Sequence, residues 1–90
     1  MDTKTFEALL KQDGYGEIET KGYPPGHRAA EHAHDFDVRG LVLEGEITLG
    51  SNGVAENLRP GDEFIMPAEQ PHTETIGPGG VRFLYGRRRT

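Results

Sequence analysis

Cysteine is absent from the chain, which removes disulfides, iron–sulfur clusters and thiolate zinc sites at once. Imidazole and carboxylate remain as the strong metal ligands on offer. Positive charge is also scarce. Fifteen acids face ten bases, a formal charge of −5, whereas phosphate binding relies on a basic surface, so no nucleic-acid partner is expected. The one basic cluster, Arg87, Arg88 and Arg89, reads as a solvated C-terminal tail. Long apolar runs are missing as well: the first twenty residues hold none of signal-peptide length, and no later stretch approaches a membrane span. No membrane partner is expected, and the cytoplasm is the default compartment.

Ninety residues suffice for one domain. A domain of that size buries only about 60–65% of its unfolded surface, so its stability stays marginal unless a metal or a partner subunit adds to it. Phe6, Leu9 and Leu10 recur at helical spacing, with Asp2 or Thr3 available as a cap and Asp13-Gly14 as a stop. This predicts a short helix within residues 1–14. Beyond Gly14, breaks such as Pro24-Pro25-Gly26, Asn52-Gly53, Pro60-Gly61-Asp62 and Gly77-Pro78-Gly79-Gly80 recur every ten residues or so. They delimit eight short segments: 17–21, 29–34, 38–43, 47–49, 54–58, 63–66, 72–76 and 81–85. The expectation is an all-β jelly-roll barrel over residues 15–90, with the helix packed on it. Asn52-Gly53 has the composition of a tight hairpin turn.

The chemistry concentrates in four histidines. In a strand, residues two apart point to one face, so His32-Ala33-His34 brings two imidazoles together. Such a pair on its own is more often surface decoration than a chelate. Its context is more specific: Gly26 lies six residues before His32 and Gly45 eleven after His34, in the run HAHDFDVRGLVLEGEI. The second block, GDEFIMPAEQPH, spaces Gly61, Pro67 and His72.

These two blocks resemble the paired motifs of the cupin superfamily of conserved barrels, over roughly residues 20–86. The resemblance implies that His32, His34 and His72 ligate one divalent transition metal inside the barrel. Three imidazoles do not distinguish iron, zinc, nickel, manganese or copper. The family's glutamate ligand would fall at the fourth residue after His34, where this chain has Val38. Glu69 also replaces a motif glycine, and Ile76 a motif asparagine. Without the carboxylate the ion would keep more of its charge and attract an anionic or thiolate ligand. Two other acids are candidates for a fourth ligand or a base. Glu74 shares a strand face with His72 and Ile76, whereas Asp37 is out of phase with His32 and His34 unless a bulge intervenes.

Val38, Met66, Ile76 and Tyr85 are expected to line a small-molecule pocket. Arg28, inward by its parity to His32, would clamp a substrate carboxylate there, or else pair with Glu31 or Asp37. His27, at the mouth of a turn, reads as solvated. Leu41 and Leu43 lie on the face opposite Val38 and need a cover, either the N-terminal helix or a second subunit, and a homodimer is expected. Two functions fit this pattern. One is a metal-dependent enzyme acting on a small molecule, with dioxygen if the metal is iron. The other is a non-catalytic module that senses or carries a small ligand or metal.

Overall fold

The computed structural model of the chain describes residues 1–89. One helix and six strands follow in the order α1 (Thr3–Gln12), β1 (Gly16–Tyr23), β2 (Arg28–His32), β3 (Asp37–Ser51), β4 (Val54–Leu58), β5 (Glu63–Met66) and β6 (His72–Arg88). Two long antiparallel strands, β3 and β6, pair from Asp37↔Arg88 to Gly50↔Thr73 and form the spine of the molecule. The first half of β3 carries β5 on its other edge, and the second half carries β4. Correspondingly, the C-terminal half of β6 carries β1 and its N-terminal half carries β2. Two four-stranded layers result, β1–β6–β3–β5 and β2–β6–β3–β4, and together they make a jelly roll.

The eight expected segments are thus present as pairing units, but four of them are fused into β3 and β6. Glycine explains the fusion. The ladder between β3 and β6 shifts register on both sides of Gly45, and a side chain at Gly45 would collide with the carbonyl of Gly80. Both glycines take positive φ, 73° and 77°. The two strands therefore bend together from one layer to the other without breaking. Asn52 and Gly53 also take positive φ, 53° and 77°, and close the β3–β4 hairpin as expected.

The main core lies between the layers and includes Val42, Ile47, Leu49, Leu58, Phe64, Ile76 and Phe83. A second cluster lies outside, where α1 lays Phe6 and Leu10 onto Leu41 and Leu84, with Leu43 packed alongside. Asp2 caps this helix, its Oδ1 accepting from Thr5 N at 2.7 Å. Cover for the outward leucines therefore comes from α1. Those leucines no longer speak for a second subunit, while the small core that also prompted that expectation stands. No helix among the described residues is long and apolar enough to cross a membrane.

Candidate metal centre

Regular alternation along β6 buries His72, Glu74 and Ile76 and turns Thr73 and Thr75 outward. Pairing of His32 with His72 across the β2–β6 ladder brings the first motif to the second. His34 follows β2 and stacks on Phe36, with ring centroids 4.9 Å apart. One ligand nitrogen from each of His32, His34 and His72 lies within 4.8 Å of the others. Nitrogens bound to one ion at about 2.1 Å stand at most about 4.2 Å apart, so small ring rotations would close this set.

Hydrogen bonds fix the ring orientations. His32 Nδ1 is 2.8 Å from Ala30 O and His72 Nδ1 is 3.3 Å from Gln70 O. A carbonyl only accepts, so each Nδ1 carries the proton and each Nε2 of a neutral ring presents a lone pair. Those lone pairs meet a carboxylate: Glu74 Oε2 lies 3.2 Å from His32 Nε2 and 3.5 Å from His72 Nε2. His72 Nε2 is buried and has no hydrogen-bond partner among the described residues. Acceptors facing acceptors in a buried site need a cation between them, a proton or a metal ion. Burial holds His34 below the usual imidazole pKa, and the neighbouring His32 and His72 act in the same direction. A neutral imidazole is the form that ligates. The donor set thus fits a divalent transition ion: three imidazoles form one group, and the Glu74 carboxylate stands beside two of them.

Asp37 is placed elsewhere. Its carboxylate accepts from Ala68 N at 2.8 Å and from the Arg88 guanidinium at 3.2 and 3.3 Å. The turn after Pro67 supports the site from the other side, where Glu69 N donates to His34 O at 2.7 Å. Glu69 itself sits at φ 65°, so the backbone keeps the left-handed form that a glycine would favour.

Two cavities meet at the histidines. The smaller, about 90 Å3, has His32, His34 and Glu74 on its wall together with Lys21, Tyr23, Phe36, Val38, Met66, Phe83, Tyr85 and Arg87. The larger, about 420 Å3, is an apolar groove between β4 and β5 that includes Leu49, Val54, Ile65 and Met66 and reaches His72. Val38, Met66 and Tyr85 therefore border the histidine cavity. Ile76 belongs to the core and borders neither.

Three expectations are corrected. Arg28 is exposed, because a register shift between Ala29 and His32 inverts the parity on which its inward placement rested. Arg28 is no clamp for a ligand in this cavity. His27 is half-buried and stacks flat on Tyr23, ring centroids 4.6 Å apart. Arg87 and Arg88 are not tail residues, since β6 runs through Arg88. Arg87 borders the cavity, Arg88 holds Asp37 and Arg89 pairs with Asp35 at 3.3 Å. A signal for Arg87 was available: it continues the inward alternation of Val81, Phe83 and Tyr85.

Comparison with known proteins agrees with this architecture. Residues 20–84 match the cupin domain model, and the chain belongs to the cupin family. It is 34% identical over 64 residues to the dimethylsulfoniopropionate lyase DddW of Ruegeria pomeroyi, a match covering 71% of this chain and 42% of that protein. The chain thus spans less than half the length of that relative. Among solved structures, a cupin superfamily protein from Desulfitobacterium hafniense superposes with a TM-score of 0.72 at 23% identity, covering 81% of this chain and 66% of the other. A Thermotoga maritima protein described as a predicted oxalate decarboxylase gives 0.73 at 21% identity, covering 93% and 73%. At those identities the structures speak for the fold alone.

Proposed function

We propose that His32, His34, His72 and Glu74 hold one divalent transition metal ion and that the chain is a metal-dependent enzyme acting on a small molecule in the adjoining cavity. The observation that carries this is the convergence of three imidazoles and a carboxylate, with His72 Nε2 buried and unpartnered. Glu74, two residues after the third histidine, supplies the carboxylate that Val38 does not. A protein-bound divalent ion acts as a Lewis acid on an oxygen of the bound molecule. The chain's own part is to shape the cavity and move protons. With Glu74 committed to the ion, Tyr85 is the buried titratable group on the wall, and its hydroxyl donates to Glu19 Oε2 at 3.0 Å.

The likeness to a dimethylsulfoniopropionate lyase points to elimination as the reaction class. A base takes the proton beside the carboxylate, and the carbon–sulfur bond breaks with its electron pair leaving on sulfur. Dimethyl sulfide and acrylate result, and Tyr85 is the candidate base, its own hydroxyl proton passing to Glu19 Oε2 as it takes the substrate's.

The test has two stages. Titrating zinc, nickel, manganese and iron(II) into the protein should show one site, lost in His72→Ala. Glu74→Gln should weaken it by at least the roughly 10–100-fold that even outer-shell changes cost. Unchanged metal affinity in both variants would sink the site. Metal-loaded protein should then release dimethyl sulfide from dimethylsulfoniopropionate, and Tyr85→Phe should slow the release. Tight metal binding without turnover of this substrate would direct the function to a non-catalytic ligand-binding cupin.

A further inference from the structure

Arg87 carries more hydrogen-bonding capacity into the histidine cavity than the protein itself uses. A guanidinium offers five N–H donors. Nη1 donates to Glu17 Oε2 at 3.1 Å and Nη2 to the Tyr85 hydroxyl at 3.4 Å, while Nε is buried with no partner among the described residues. Nε has no exposed surface, so the hydrogens a ligand can reach are the unused ones on Nη1 and Nη2, on a side chain that keeps 32% exposure. The side chain is held in place by rings on either flank, its guanidinium carbon 4.9 Å from the Phe36 centroid and 5.7 Å from that of Tyr85. It is thus ordered before any ligand arrives.

Lys21 adds a second cation to the same wall. It pairs across the ladder with Phe83, which puts both side chains on the inward face. Its ammonium lies 5.5 Å from the Tyr23 ring. Against these two cations the cavity wall sets one acid, Glu74. Glu19 also reaches the wall through the Tyr85 hydroxyl, so once Glu74 serves a metal ion the charge of Lys21 and Arg87 is met only in part. Glu17, the acid that meets Arg87, stands outside with its side chain 58% exposed, where pairing is weak.

We propose that the cavity binds a short-chain carboxylate, its carboxylate group held by Arg87 with Lys21 at the rim and its carbon chain against Phe36, Val38 and Met66. The proposal rests on the assignment of this cavity as the ligand side of the metal centre. It replaces Arg28 by Arg87 as the clamp and narrows the ligand class by size. The cavity measures about 90 Å3, the liquid volume of about three waters, which suits an acid of a few carbons.

Isothermal titration with propionate, and with neutral propionamide of the same shape, tests this on zinc-loaded and on metal-free protein. Propionate should bind wild type in both states and propionamide at least about tenfold more weakly. Arg87→Gln should weaken propionate about tenfold or more in both states while leaving zinc affinity unchanged, as expected for a lost charge-assisted pair. Lys21→Gln, at an exposed position, should weaken it a few-fold and serves if Arg87→Gln fails to fold. Propionate that binds only with zinc present and is indifferent to both variants would be a simple metal ligand and would overturn the proposal. So would equal affinity for propionamide, or no binding of propionate to wild type. Propionate binding that depends on Arg87 in a protein that takes up no zinc would uphold the clamp and reject the metal centre, so the two failures are distinguishable.

Discussion

Glu69 shows how a single residue can depart from a family motif while the backbone does not. Its φ of 65° costs about 1–2 kcal/mol for a side chain with a Cβ, and glycine would return part of that as extra freedom in the unfolded chain. Glu69→Gly is expected to raise stability by about 0.5–1 kcal/mol, a gain of a few degrees in thermal melting, with the hydrogen bond from this residue's N–H to His34 O retained. A lower melting temperature would mean that the turn does not hold this conformation. Asp37 gives a prediction in pH. The Ala68 N–H and then the Arg88 guanidinium hold its carboxyl below the ordinary carboxylate range. A depressed folded-state pKa stabilises fully above the unfolded value of about 3.9, and the benefit fades between that value and the lower folded-state pKa. Urea midpoints of wild type and Asp37→Asn should therefore differ most at pH 7 and draw together as pH falls below about 3.9. A constant gap would show that the carboxylate charge is not what matters. At this scale the sequence was legible wherever parity ran undisturbed: His72, Glu74 and Ile76 alternate inward on β6 as expected. It misled at Arg28, where one irregularity between Ala29 and His32 inverted the count. It was also misread at Arg87, where proximity to the chain end outweighed an alternation that was there to be followed.

Helix α1 tests the elements, because most of its contribution is cover for one sheet face. Phe6 and Leu10 are fully buried against Leu41 and Leu84, and the Arg39 guanidinium carbon lies 5.5 Å from the Phe6 centroid while that side chain reaches Asp13 and Glu63. Removing a buried phenylalanine typically costs about 3–5 kcal/mol. In a domain of this size Phe6→Ala should unfold much of the protein at 37 °C or drive it to associate through the uncovered leucines. Circular dichroism melts and light scattering would show either effect. A variant as stable and as dispersed as wild type would mean that the helix is not the true cover. The helix and the segments were legible because caps, glycines and prolines mark ends. The fusion of four segments into β3 and β6 was not, since a glycine that lets a strand bend carries the same local signature as one that ends it. What tells Gly45 from a terminator is Gly80 lying against it, a contact between residues far apart in the chain.

At the scale of the whole molecule, the histidine cluster joins elements that local structure holds together only loosely. His32 closes β2, a five-residue strand, and His34 lies just beyond it, while His72 opens β6. An ion bound by all three would tie the β2 edge to the spine, and because the unfolded chain has no such site its binding energy adds to folding stability. The size follows from mass action: free metal at one hundred times its dissociation constant adds about 2.7 kcal/mol. For a domain of 60–100 residues each kcal/mol moves the melting temperature by about 4–8 °C, so saturation should raise it by roughly 10–20 °C. Wild type stripped with a chelator and then titrated with zinc or nickel should show that rise, graded with concentration. His72→Ala should melt at one temperature whatever the metal concentration, and Glu74→Gln should need more metal for the same shift. This linkage separates a metal centre from a protonated histidine–glutamate pair, the other cation that the lone pairs admit. Protons would move the melting temperature with pH and leave it indifferent to zinc, nickel and iron(II), and that outcome would remove the metal from the protein.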